Sequence, residues 1–249
     1  MFFSKPGEFE PCGINSIGHY IYIVLTTIAV IIGLKCTINK SKNEIKLIIQ
    51  RCTIFLIITE IIKIAFKMYL GYAKYLNEYV PLYYCSLLIY AGILSSFARG
   101  KLERVGNVFI ATGGVVGGIV FIMMPTTSLP TYPFFHYISI HSFIYHGIMA
   151  YLGFLINITK YITLEFKDIT YYASFIGISC LIALVLNSVF DSNLMFISKD
   201  FPGTPIEIIY KHTGKFFTLV AFIIQMTLPY IVVYELISLS EKKSLKENS

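Results

Sequence analysis

The chain has 249 residues, 56% hydrophobic and 14% charged, with a net charge of +6 and a mean hydropathy of +0.70. A soluble domain carries about a quarter charged residues, so a water-solvated globule is excluded and lipid is the expected solvent. Five cysteines (Cys12, Cys36, Cys52, Cys85, Cys180) without a CxxC pair suggest neither a disulfide framework nor a zinc ribbon, and no basic face with interleaved aromatics points to nucleic acid.

In chain order, seven apolar runs read as membrane spans: residues 17–34, 47–66, 79–98, 105–124, 134–158, 169–190 and 213–236. Most approach the roughly 20 residues that a spanning helix needs. No long polar linker divides them, so the expectation is one all-α integral membrane domain over 1–249, a bundle of about seven transmembrane helices with polar tails at 1–16 and 237–249. The leader "MFFSKPGEFEPCGINS" has one lysine against two glutamates and no small-residue cleavage site, so the first span reads as a retained helix. The first, third and fifth connections and the C-terminal tail carry Lys35, Lys40, Lys42, Lys46, Arg99, Lys101, Arg104, Lys160, Lys167, Lys242, Lys243 and Lys246. The opposite side carries Lys5, Lys67, Lys74, Lys199, Lys211 and Lys215. That bias expects the N-terminus outside and the C-terminus in the cytoplasm. Three arginines among 20 basic residues, with abundant isoleucine, suggest an AT-rich bacterial genome and a multi-pass protein of the bacterial plasma membrane.

Span two holds Arg51, Glu60, Lys63 and Lys67. Glu60 and Lys63, at i,i+3, can neutralise one another, and Lys67 can snorkel outward. Glu60 alternatively orients a histidine. In span three, "VPLYYCSLLIY" places Cys85 one to two turns inside the outer end, after Pro81. Span four repeats GxxxG through Gly113, Gly114, Gly117 and Gly118, which reads as close helix packing or as a backbone wall against an acyl chain.

Span five, "FFHYISIHSFIYHGIMA", contains three of the five histidines. A step of five residues turns about 140° on a helix, so His141 points away from both His136 and His146, and no two of them chelate one ion as an i,i+4 pair does. No metal or cofactor is expected. His136, just after Pro133, reads as an interfacial histidine. His141 and His146 lie deeper, where an ionisable group is a functional candidate; the alternative is a neutral ring bonded to Ser139, Ser142 or Tyr145. At the end of span six, Asn187 and Asp191 are four apart and can look into one outer pocket. In the next loop "TPIE" reads as a capping box of Thr204, Pro205 and Glu207, opening a short surface helix over the site. The stretches "NEYVPLYYCS", "PTTSLPTYPFFH" and "NSVFDSNLMFISKDFPGTP", the most unusual in the chain, all fall on the outer side, so any site is expected to open outward.

A buried cysteine is usually a small hydrophobe and becomes a nucleophile when a base or a positive field stabilises its thiolate. The combination "PLYYCS", "HSFIYHG" and "NSVFDSNLMFISKDFPGTP" resembles the YwaF-type bacterial integral membrane proteins, which are similar in turn to the eukaryotic transmembrane protein 164 acyltransferases. The shared positions are Pro81, Leu82 and Cys85, then His146 and Gly147, then Asn193, Met195 and Phe196. The resemblance implies a cysteine that takes an acyl group from a phospholipid, with a histidine as base, and so assigns Cys85 and His146. Depth along the helices pairs Cys85 with His141 instead, which stays as the alternate. In the implied chemistry the histidine deprotonates Cys85 and the thiolate attacks a lipid ester. The thioester then passes its acyl chain to a lysolipid hydroxyl, or to water in a hydrolase. Tyr84, Ser86, Asn187 or Asn193 would stabilise the oxyanion. The competing reading is a non-enzymatic transporter-like or substrate-capturing membrane component, although no internal repeat of the transporter kind is seen.

Overall fold

Ser16 opens the first helix by accepting a hydrogen bond from the His19 N–H, and Ser41 opens the second through a reciprocal capping box with Glu44. From these starts the chain folds, in the computed structural model, into helices and short connecting segments, with no strand among the described residues, 1–71 and 75–247. Lys74, counted above on the outer side, lies outside the described residues. The elements are α1 (Ile17–Thr37), α2 (Lys42–Tyr69), the short α3 (Leu76–Tyr79), α4 (Leu87–Phe97), α5 (Lys101–Phe109), α6 (Val115–Met123), α7 (Tyr137–Ile158), α8 (Ile169–Phe190), α9 (Pro205–Thr213) and α10 (Phe217–Glu247). A π-helical turn, Ile110–Gly114, joins α5 to α6 in one continuous rod.

Among the described residues, five stretches are long and apolar enough to cross a membrane: Ile17–Thr37, Lys101–Met123, Tyr137–Ile158, Phe166–Phe190 and Pro205–Lys243. Two of the seven expected spans depart from that pattern. Helix α2 is 28 residues long but carries Arg51, Glu60 and Lys63 within its apolar stretch. Helix α4 has 11 residues, about 16 Å at 1.5 Å per residue, half a bilayer core. The expected helix over 79–98 is broken because Pro81 lacks an N–H and pushes the preceding residue out of the helical region; Val80 is extended, at φ −95° and ψ 110°. Non-helical backbone at membrane depth is tolerated where it is buried in protein or lines a cavity.

Lipid tails are as apolar as leucine, so packing rather than the hydrophobic effect holds such helices together. Helix α7 is the centre, contacting α1, α2, α6 and the π turn, while α4 packs between α2 and α5, and α8 against α10. Gly118 shows how close the approach is: a Cβ there would lie 2.7 Å from the Ala150 nitrogen on α7. Polar ties reinforce the contacts. Ser95 Oγ donates to Asn107 Oδ1 at 2.6 Å across α4 and α5, and Asn157 Nδ2 on α7 donates to the Ala111 carbonyl of the π turn at 2.7 Å. Arg104 grips Asp168 with both Nε and a terminal nitrogen while donating to the Thr163 carbonyl, which clamps α5 to the start of α8 in the two-pronged manner that suits guanidinium and carboxylate.

Candidate functional site

A cavity of about 610 Å³ lies where the broken span meets α7. Three chemically distinct walls enclose it. The first is charged: Glu60, Lys63 and Lys67 of α2 with Glu78 of α3. The second is polar: Tyr84, Cys85 and Ser86 before α4, with His141, Ser142, Tyr145 and His146 of α7. The third is apolar: Val116, Gly117, Val120, Phe121 and Met124, with Phe196 and Phe201 near the mouth.

Cys85 does not sit inside a helix. It ends the irregular segment after Pro81 and immediately precedes Ser86, the N-cap of α4. Its carbonyl accepts from the Leu88 N–H at 3.1 Å and from the Tyr145 hydroxyl at 3.3 Å, so the break is anchored to α7 beside the two histidines.

His146 is held in a defined state. Its Nδ1 is 2.7 Å from the Ser142 carbonyl. A carbonyl only accepts, so Nδ1 carries a hydrogen, and a neutral ring then leaves Nε2 as a bare acceptor. The ring lies flat on Phe121, centroids 3.5 Å apart and planes 8° apart. His141 is different: its Nε2 is buried with no hydrogen bond among the described residues, and Glu60 Oε2 lies 3.9 Å away. His141 and His146 nevertheless line one cavity despite their 140° separation, because the cavity wraps a broad face of α7 that also includes Ile138, Ser142 and Tyr145.

The charged wall is internally paired. Lys63 Nζ lies 2.6 Å from Glu60 Oε1, and Lys67 pairs with Glu78. His136 is fully buried and caps α7: Nδ1 accepts from the Ile138 N–H at 3.1 Å, and Nε2 donates to the Ser4 carbonyl at 3.2 Å. Among the described residues no three His, Cys, Asp or Glu side chains are gathered as a bound metal would require.

The remaining expected site residues have other partners. Tyr84 lines the cavity, yet its hydroxyl is engaged with that of Tyr172 at 2.7 Å. Asn187, Asp191 and Asn193 are not among the lining residues. Asn187 is buried and saturated: Oδ1 accepts from Ser192 Oγ and the Leu194 N–H, while Nδ2 donates to the Leu194 carbonyl and Ser198 Oγ. Asn193 Oδ1 accepts from the Ser198 and Lys199 N–H groups, and its backbone N–H donates to Asn77 Oδ1. Asp191 is exposed and pairs with Lys199 at 2.7 Å. These residues fold the 191–199 loop, which carries Met195 and Phe196 at positive φ. Phe196 in turn packs on Tyr83, another lining residue, centroids 4.9 Å apart. The capping box before α9 is shifted by one residue: Thr204 Oγ1 accepts from Ile206, and Glu207 Oε2 accepts from the Gly203 N–H.

Sequence reasoning did not single out Tyr145, Phe121 or Glu78 for this site. Tyr145 was readable, since it follows His141 by four and shares its helix face. Phe121 and Glu78 come from distant segments and left no local signal.

A bundle of apolar helices around a cavity that is charged at one wall and apolar at another defines a polytopic α-helical membrane protein with an amphiphilic internal site. The TMEM164 family profile matches residues 14–236, nearly the whole chain. The protein belongs to the TMEM164 family. No curated protein and no solved structure matches the chain.

Proposed function

We propose that the protein is a membrane acyltransferase that moves an acyl chain from a phospholipid donor to a lysolipid acceptor through Cys85. The observation that carries this reading is the convergence of Cys85 and His146, from separate elements, on one cavity whose other walls suit the two ends of a lipid. The paired lysines and glutamates of α2 and α3 suit a polar headgroup, and the α6 wall suits a hydrocarbon chain. About 610 Å³ falls within the 300–1,000 Å³ typical of small-molecule sites.

In the first step His146 Nε2 takes the Cys85 thiol proton and the thiolate attacks the ester carbonyl. The S–C bond forms, the ester C–O bond breaks, and the departing lysolipid oxygen takes the proton from Nε2. In the second step an acceptor hydroxyl attacks the thioester. A C–O bond forms, the C–S bond breaks, and the hydroxyl proton ends on the Cys85 sulfur through an imidazole of the cavity. The Nδ1–H bond to Ser142 supports the first step by keeping the ring in the tautomer with a bare Nε2. The lysine-rich composition favours a bacterial plasma membrane as the setting, with the cavity opening outward.

Intact-mass measurement on the purified chain incubated with phospholipid tests the proposal. An acyl-mass adduct located on Cys85 is expected. If no lipid acylates the chain and Cys85→Ser leaves the lipid profile of cells unchanged, the substrate-capturing reading takes its place.

A further inference from the structure

Glu60 stands between two groups in the cavity wall. One carboxylate oxygen is 2.6 Å from Lys63 Nζ, and the other is 3.9 Å from His141 Nε2. The second distance is too long for a hydrogen bond. His141 is 6% exposed, and its Nε2 meets no hydrogen-bonding partner among the described residues. Buried polar atoms in folded proteins are nearly all paired, and each exception asks for an explanation. Here the unpaired atom belongs to a ring that lines a cavity with a charged and an apolar wall, so the missing partner is one that a ligand brings.

We propose that His141 is the base that receives the acceptor's hydroxyl, and that Glu60 is its positioning residue. This rests on the acyl-transfer reading above. The two histidines then divide the reaction. His146, with its ring pinned between Ser142 and Phe121, serves the thiol and the departing lysolipid. His141, beside the charged wall, serves the incoming hydroxyl. That hydroxyl belongs to the glycerol backbone of a lysolipid, next to its headgroup, and so enters from the side of Glu60 and Lys63. The O–H proton passes to Nε2 as the oxygen attacks the thioester carbonyl. The C–O bond forms, the C–S bond breaks, and Nε2 then returns the proton to the Cys85 sulfur. The Glu60 carboxylate favours the imidazolium that forms between those events, because an opposite charge within about 4–6 Å stabilises the charged ring. Lys63 keeps Glu60 paired at this depth, while Lys63 and Lys67 themselves act against the imidazolium, so the carboxylate serves to offset them.

The test uses the full chain in nanodiscs. Cys85 is acylated with a donor phospholipid, the donor is removed, and a lysophospholipid is added while the adduct is followed by intact mass. We expect His141→Asn to slow discharge about 100-fold more than it slows acylation, the usual share of a general base, and the double variant Glu60→Gln/Lys63→Gln, which also alters the headgroup wall, to slow discharge by more than it slows acylation. The double variant avoids leaving Lys63 without its partner, and Glu60→Asp should regain part of the discharge rate. Discharge that appears as free fatty acid, slowed equally by His141→Asn, supports the same base with water as acceptor. Unchanged discharge, or an equal fall in both steps, overturns the assignment while the acyl-transfer reading survives. Failure of the native chain to acylate overturns both.

Discussion

The imidazole of His146 lies flat on the ring of Phe121, centroids 3.5 Å apart, while its Nδ1–H is held by the Ser142 carbonyl one turn earlier on α7. These contacts fix the ring's plane and its tautomer, so the free nitrogen is presented in one orientation. His146→Gln is expected to slow acylation of Cys85 by about 10²–10⁴-fold, the range for loss of a positioned base, with the helical fold retained. The measurement is the rate of adduct formation beside a circular-dichroism melt. A variant that acylates normally removes His146 from the chemistry.

Cys85 differs from the other cysteines in its surroundings, since it alone lines the 610 Å³ cavity. Cys12, Cys36, Cys52 and Cys180 are also free thiols. Replacing those four together with alanine should leave the acyl adduct in place, and Cys85→Ala alone should abolish it. Peptide mapping after lipid treatment reads the result directly, and an adduct on any of the other four would redirect the assignment.

Asn187 and Asp191 were expected to share a pocket, and their contrast makes a stability prediction. Asn187 satisfies four groups of the 192–198 loop. Asn187→Ala should cost about 3 kcal/mol, because it strands buried donors and acceptors at about 1–3 kcal/mol each and some of them re-pair. Asp191 pairs with Lys199 in the open, so Asp191→Ala should change stability by less than about 1 kcal/mol. Thermal unfolding in detergent distinguishes the two, and equal effects would contradict the loop's hydrogen-bond accounting.

At Gly118 a valine would drive its side chain into Ala150, whose backbone nitrogen and Cα would lie 2.7 and 2.9 Å from the new Cβ. Backbone cannot yield as a flexible side chain can. The expected cost is about 1–3 kcal/mol, with α6 displaced from α7 and the cavity's apolar wall disturbed. Folded yield and melting temperature should both drop; a native-like melt would show that the α6–α7 contact is looser than the structure has it.

The Glu60–Lys63 pair is shielded, with side-chain exposures of 6% and 23%. Removing one partner of such a pair typically costs about 3–5 kcal/mol, while replacing both is often neutral. Glu60→Gln should therefore destabilise the chain, and adding Lys63→Met should restore most of the loss. A double-mutant cycle by thermal unfolding checks this, and additive losses would mean that the two charges act independently.

Composition and hydropathy determined that this is an α-helical membrane protein, because a chain so poor in charge can satisfy its backbone in lipid only by internal hydrogen bonding. Local chemistry likewise marked the cap at Thr204, the packing glycines of α6 and the polar residues of α7. Asn187, Asp191 and Asn193 do not line the cavity, and in sequence a short polar cluster at a helix end reads the same whether it binds a ligand or folds its own loop. Only the hydrogen-bond partners separate those cases, and here they lie in the loop. Pro81 gives span three a local reason to break, but tertiary structure alone decided that Glu60, Phe121 and both deep histidines line one cavity with Cys85 at that break. The reason is physical. Periodicity reports which face of a helix is apolar, whereas the meeting of side chains from α2, the turn before α4, α6 and α7 depends on how closely those elements pack and where each begins, and neither is encoded within any single segment.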